Sequence, residues 1–257
     1  MGARVHYETQ DRLQKNGATP TARTGTVVED NERKNQAFAL FVQNRFLFDN
    51  WTLTPGVRVE SINYERTNRR AGVSGKTDLT EVIPGIGATY NPARNLTVFA
   101  GVHRGFAPPR TEDIINDNTG GTVDIDAEKS VNFELGVRSQ PHTGVNVDAT
   151  LFRMDFENQV VPASVAGGTG ATLTNGGETL HQGAELALRV NGSEVMGLPH
   201  NVFLQAAYTY LPTAKYAGTR TSNITPGVNV SGNRLPYAPE NLLTATLGYA
   251  HPAGFDA

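Results

Sequence analysis

The sequence predicts an all-β fold, an antiparallel up-and-down transmembrane β-barrel of which this chain supplies about ten strands. Three observations predict it. Apolar and polar residues alternate with period two along most of the chain. The connections between these runs are alternately long and short. One side of each run stays free of charge over the roughly 9 to 11 residues that a tilted strand needs to cross hydrocarbon.

Composition agrees. The 257 residues are 38% hydrophobic, with 27 glycines and 14 prolines, a turn-rich content foreign to helical or doubly wound proteins. A net charge of -3 and a pI near 6.1 leave no basic footprint for nucleic acid. The absence of cysteine excludes disulfides, thiolate metal sites and cysteine nucleophiles. No run approaches the roughly 18 consecutive apolar residues of a membrane helix, and the first residues lack the apolar core of a secretion signal. Mean hydropathy is negative, as it is when barrel strands average a greasy face with a polar one.

In chain order, a partial strand falls at 3–10, and residues 36–48 hold Phe38, Leu40, Val42, Phe46 and Phe48 in one phase. From Trp51 the chain sets Leu53, Pro55, Val57 and Val59 against Thr52, Thr54, Gly56 and Arg58. Residues 79–90 carry Val82, Pro84, Ile86, Ala88 and Tyr90 together. Leu96, Val98, Ala100 and Val102 oppose Thr97, Phe99, Gly101 and His103; Val131, Phe133, Leu135 and Val137 oppose Asn132, Glu134, Gly136 and Arg138. Val145, Val147, Ala149 and Leu151 follow, then Leu186, Leu188 and Val190, then strands near 201–210 and 241–249.

The connections run long at 11–34, short at 49–50, long at 66–78, short at 91–95, long at 107–128, short at 139–144, long at 161–178, medium at 191–200 and long at 211–240. Short turns at one rim and long loops at the other produce that rhythm, whereas a Greek-key sandwich has no reason to show it. Past Val59 the phase reverses, with Ser61, Asn63 and Glu65 opposing Ile62 and Tyr64, and past Leu151 it turns to Phe152, Met154 and Phe156. Either the strands have left the bilayer there or each carries a bulge.

An Arg or Lys facing lipid at the midplane costs about 2–4 kcal/mol, so the charged side of these strands is expected to line an interior. It carries Arg58, Glu60, Glu81, Glu134, Arg138, Asp148, Glu185 and Arg189. Trp51, Tyr90, Tyr208, Tyr210 and Tyr249 lie near strand ends, where an aromatic girdle belongs. Pro55 and Pro84 fit neither a barrel nor a soluble sheet easily, because each removes a ladder hydrogen bond. A soluble antiparallel sheet alternates as well; the rhythm of the connections favours the barrel.

The segments FVQNRF, WTLTPGVRVE, EVIPGIGATYNPARNLTVFAGVHRGFAPPR, VNFELGVRS, VDATLFRMDFENQVVPAS and TLTNGGETLHQGAELAL, in that order, resemble the barrel of TonB-dependent outer-membrane receptors, within it most nearly the ferric dicitrate and related siderophore type. The resemblance covers nearly the whole chain. It implies a barrel of 22 strands in the bacterial outer membrane, plugged by an N-terminal domain through which TonB acts, monomeric when complete, and importing a ferric siderophore without a resident cofactor. Signal peptide, coupling box, plug and terminal aromatic strand are not in the sequence, which therefore reads as a fragment from the middle and later part of such a barrel.

Six histidines stand singly and at no metal-binding spacing. His103, Arg104 and Arg110 are the candidate contacts for an anionic chelate, since guanidinium binds carboxylates through paired hydrogen bonds. The alternative is that they are rim charges paired with Glu112 or Asp113. Arg58, Glu60, Glu134, Arg138, Glu185 and Arg189 are expected to face the lumen, pairing with a plug and with each other. SGKT at 74–77 lacks the first glycine and the helix of a phosphate loop, the glycine run at 166–177 reads as an external loop, and Ser164, Ser193 and Ser231 have no histidine and carboxylate partners at motif spacing. No enzymatic activity is expected. The competing readings are a passive pore of the same architecture and a soluble β-sandwich binding module.

Overall fold

Period-two patterning needs a partner for every backbone group, and in lipid only hydrogen bonds between strands can supply it. The computed structural model, which describes residues 1–166, 173–222, 224–225, 227–251 and 253–256, meets that need with one 12-stranded antiparallel sheet. Its strands are β1 (Gly2–Asn16), β2 (Thr26–Gln43), β3 (Phe46–Phe48), β4 (Trp51–Asn68), β5 (Val73–Ala93), β6 (Leu96–Ala107), β7 (Glu128–His142), β8 (Val145–Pro162), β9 (Leu173–Asn191), β10 (Asn201–Ala217), β11 (Asn241–His251) and β12 (Phe255–Asp256). Each pairs with its sequence neighbour, β3 continuing the line of β2 against β4. The sheet is open, with β1 and β12 at its edges.

The register lines up one apolar face. Leu53, Ala88, Ala100, Leu135, Leu151, Ala184 and Tyr210 are successive direct partners across seven strands. One row along the strands, Trp51, Tyr90, Val98, Val137, Ala149, Leu186, Tyr208 and Leu243 do the same. No second sheet covers this face among the described residues: Leu135 is 52% exposed, Leu151 59% and Leu243 67%. A water-soluble protein does not leave so broad a surface bare, whereas a lipid-facing wall must. The Trp51 and Tyr90 rings stack at 4.6 Å beside the short turn 49–50.

The other face shows why glycines recur within the strands. Phe41, Phe99, Phe152 and Phe203 lie directly opposite Gly2, Gly136, Gly183 and Gly248, and each ring lies over its glycine. A pleat left empty by glycine is filled by its cross-strand aromatic.

The two prolines are accommodated where the ladder has a gap. The Pro55 carbonyl accepts from the Asn44 amide at 3.1 Å, so the proline nitrogen points the same way, toward the break between β2 and β3. Pro84 pairs with Val57, two residues on, and so turns its nitrogen toward β6, whose pairing with β5 ends at Gly85 and His103. Neither removes a hydrogen bond that a neighbour needs.

The connections alternate as expected, but the long ones are shorter than the sequence predicts. Residues 11–34 are strand except for 17–25, and residues 66–78 reduce to the turn 69–72. β4 and β5 run in unbroken register from Trp51 opposite Tyr90 to Asn68 opposite Val73, so the phase reversal after Val59 is not a bulge. The same holds for β7 and β8 through Phe156. The strands leave the bilayer and continue, and beyond it the inner side becomes the dry one. The glycine run at 166–177 lies partly outside the described residues.

Candidate functional site

Above the lipid belt, the inner face of β2, β4 and β5 changes character row by row. Ala37, Ile62 and Leu79 are partners, then Asn35, Tyr64 and Thr77, then Arg33, Arg66 and Gly75. Apolar gives way to polar, then to cationic. Two guanidinium groups directly opposite each other repel, so this wall requires carboxylates from elsewhere.

The connection between β6 and β7, residues 108–127, supplies them by folding back onto the wall. Its short helix α1 (Thr111–Ile114) places Ile114 and Ile115 against Ile62 and Tyr64, with Ile125 completing a buried cluster. A small hairpin follows: Ile115 bridges Thr122, and the Asn116 side chain caps the turn by accepting from the amides of Asn118 and Thr119. Gly75 and Gly120 lie back to back, where a Cβ on either would collide with the other strand's backbone. The segment is tied at both ends. Thr111 donates to Asn35 at 2.8 Å, and the Asn175 amide bonds the Asp126 backbone at 2.7 and 3.0 Å.

Electrostatics completes the docking. Arg33 and Arg66 are only 5% and 7% exposed. Arg33 contacts Glu112 of the loop and Glu29 of its own strand, the latter at 3.1 Å. Arg66 reaches Asp117 at 3.0 Å and donates to the Ile115 carbonyl at 2.9 Å. Glu29 is the hub: it also accepts from Asn31 at 2.9 Å and meets Arg12 of β1 at 2.9 Å. Tyr64 sits beneath this layer with its hydroxyl buried and unpartnered among the described residues, and burial, aided by the Glu60 carboxylate, pushes its phenol up to about 12.

The predicted chelate contacts do not form one cluster. His103 pairs with Gly85 on the inner face. Arg104, one residue on, shares the outer face with Val102 and lies 3.9 Å from Glu157. Arg110 is exposed, and Asp113 holds it through two hydrogen bonds of 2.9 and 3.0 Å, with Glu112 at 3.4 Å. The alternative of a paired rim charge describes Arg110 in this structure, and the Asp113 contact raises its pKa further.

The expected lumen-facing residues all share the face opposite the apolar rows. Arg58 and Glu60 pair at 2.7 Å, and Glu81 binds Lys129 at 2.8 Å. Arg138 meets Asp148 at 3.3 Å with its guanidinium 4.7 Å from the Phe99 ring centre, while Arg189 lies 5.9 Å from that of Phe203. Glu134 and Glu185 are exposed on this face. No cluster of three His, Asp or Glu side chains fit for a metal occurs among the described residues.

Sequence reasoning missed Glu29, Arg33 and Arg66, which fall in segments it assigned to loops. The signal lay in the reversal at Ile62 and Tyr64: two apolar residues on a polar face announce a cover, and Ile114, Ile115 and Ile125 are the nearest unclaimed apolar group.

Comparison with known proteins places the chain. The family described as TonB dependent receptor-like, beta-barrel, matches residues 1–256. An iron-regulated outer membrane virulence protein of Vibrio cholerae is 26% identical over 172 residues, 60% of this chain and 24% of that protein. Among solved structures, the ferric citrate transporter FecA in its unliganded form superposes with a TM-score of 0.75 at 21% identity, over 97% of this chain and 36% of its own. The ferric-catecholate import receptor Fiu of E. coli K12 gives 0.68 at 18% identity, over 96% and 38%. The chain thus spans about a quarter to two fifths of the length of these relatives.

Proposed function

Because the chain belongs to the TonB-dependent receptor β-barrel family, whose members reside in the bacterial outer membrane, we propose that it is part of the wall and outer mouth of a receptor that imports ferric siderophores. The observation that carries this reading is the sheet itself: a bare apolar face backed by a polar one, with a folded connection packed on the inner wall of β2, β4 and β5 beyond the lipid belt. Outer-membrane lipid meets the first face. A plug domain, pairing with Arg58, Glu60, Glu134, Arg138, Glu185 and Arg189, meets the second, and TonB supplies energy through that plug.

The chemistry is binding and gated passage, not catalysis. A ferric chelate is the cargo. A ferric citrate-like hydroxycarboxylate is the ligand to which the sequence resemblance leads; of the three residues expected to contact it, His103 faces inward and Arg110 stands exposed in the β6–β7 connection, whereas Arg104 is turned to the outer face. That ligand has to draw Arg110 away from Asp113.

The test is uptake of radiolabelled iron by iron-starved cells that carry the complete receptor as their sole route for ferric chelates. Saturable uptake abolished by a protonophore is expected. Uptake that is linear in concentration and indifferent to the protonophore identifies a passive pore instead.

A further inference from the structure

One strand edge beyond the lipid belt is left without a neighbour. β4 and β5 pair as far as Asn68 and Val73, but β6 parts from β5 after Gly85 and His103. Pro84 turns its nitrogen toward β6, so Val82, Thr80, Asp78, Lys76 and Ser74, at alternate positions, turn their backbone groups the same way. These groups have no hydrogen-bond partner among the described residues. Such an edge is a template for a further strand. The segment placed to fill it is the start of the β6–β7 connection. Continuing the register of Ile86 with Val102 and Gly85 with His103 sets Val82 opposite Phe106, Asp78 opposite Arg110, Thr77 opposite Thr111 and Lys76 opposite Glu112. Both charged pairs are of opposite sign, and opposite charges directly across two strands attract. A slip of two residues, the smallest that keeps each side chain on its face, sets Asp78 opposite Glu112 or Lys76 opposite Arg110. The charges therefore select one register.

In the docked arrangement Arg110 is held by Asp113, Glu112 contacts Arg33, and Asp78 meets no cation among the described residues. Docking buries Ile114 and Ile115. It also leaves Arg33 Nε, Arg66 Nε and the Tyr64 hydroxyl buried without hydrogen-bond partners among the described residues, each a cost to that arrangement. The helix α1 is a single turn with no side-chain cap, so little local structure is lost when it straightens. Against pairing stand Pro84 and Pro108, which each withhold a donor from the extended ladder. The paired arrangement is the minor one.

We infer that the β6–β7 connection has two resting places: docked on the inner wall of β2, β4 and β5, and paired as a strand with the free edge of β5 from Val82 to Lys76. The exchange moves Arg110 from Asp113 to Asp78 and Glu112 from Arg33 to Lys76. It lifts Thr111 from Asn35 and bares Ile62 and Tyr64.

The experiment uses the complete receptor in outer-membrane vesicles, with any cysteine elsewhere in it replaced by serine. Thr111→Cys is combined with either Asn35→Cys or Thr77→Cys, and disulfide formation under copper phenanthroline is timed. The first combination reports docking, since the Thr111 hydroxyl donates to Asn35 at 2.8 Å. The second reports pairing with β5. Thr77 lies two strands from Asn35, with Tyr64 between them, which is about 10 Å and beyond the Cα separation of roughly 7 Å that a disulfide spans. Both combinations are expected to link, the second more slowly. Asp78→Arg is expected to slow the second alone by about fivefold, as an attraction across the strands becomes a repulsion. Lys76→Glu is an independent variant with the same expected effect, and neither residue touches the docked connection. Heat-modifiable migration on gels confirms that each variant is folded. Failure of positions 77 and 111 to link in folded receptor overturns the inference, and so does a linking rate indifferent to both charge reversals.

Discussion

Arg66 donates a hydrogen bond from Nη1 to the Ile115 carbonyl at 2.9 Å, joining residues 49 apart in sequence inside a wall where Arg66 is 7% exposed. The same guanidinium holds Asp117 at 3.0 Å, so one side chain fixes both the backbone and the charge of the docked connection.

Replacing Arg66 by alanine strips Asp117 of its partner and leaves the Ile115 carbonyl unsatisfied; breaking a buried pair in this way costs about 3–5 kcal/mol. Hydrogen exchange of residues 111–125 is expected to rise by orders of magnitude while exchange in β7 stays slow. Lysine is not expected to rescue, because a single ammonium cannot span both acceptors as the fork does. Unchanged protection in Arg66→Ala would remove the docking role.

Tyr64 gives a pH dependence with a definite sign. Its phenol titrates near 10 when unfolded and is pushed up to about 12 in place. Between those values the unfolded chain has lost the proton and the folded one keeps it, so the stability of the docked loop is intact below pH 10 and declines as the pH rises toward 12. Tyr64→Phe is expected to abolish that decline, and to cost nothing at pH 7 because the buried hydroxyl has no partner to lose among the described residues. Thermal unfolding followed from pH 8 to 12 measures both.

Glycines on the inner face divide into two kinds. A Cβ at Gly136 collides with the Phe99 ring and comes 2.7 Å from the Ala149 carbonyl, whereas at Gly101 the nearest atom is 3.8 Å away. Gly136→Ala is expected to destabilise by about 1–3 kcal/mol. Gly101→Ala is expected to fold as the parent does. Urea midpoints in detergent compare the two.

The strands that cross the bilayer were legible because lipid enforces the pattern: any charge on the side of Val57, Leu135 or Leu186 is penalised, and none is there. Beyond Val59 nothing enforces it. Ser61, Asn63 and Glu65 face water, so β4 reads as a loop although its ladder continues to Asn68. The cover over Ile62 and Tyr64 depends on Ile114, Ile115 and Ile125, which are local in space and remote in sequence. Arg33 and Arg66 were invisible for the same reason, since only the register sets them opposite each other. Pro55 and Pro84 became intelligible once the breaks beside them were seen.

On the lipid face itself, Leu135→Arg is expected to cost about 2–4 kcal/mol in bilayers. Glu134→Arg, one residue away on the opposite face, is expected to insert normally. Folding yields into vesicles separate the two.

The most direct test is site-directed spin labelling of β7. This chain contributes no competing thiol, so single cysteines at positions 131–138 in the complete receptor, with any cysteine elsewhere in it replaced by serine, each carry one label. Reconstituted in lipid, labels at Phe133, Leu135 and Val137 are expected to collide with oxygen and be hidden from a water-soluble relaxant, while those at Glu134, Gly136 and Arg138 are expected to do neither or the reverse. Equal access of the water-soluble relaxant to both sets would contradict a bilayer-facing wall.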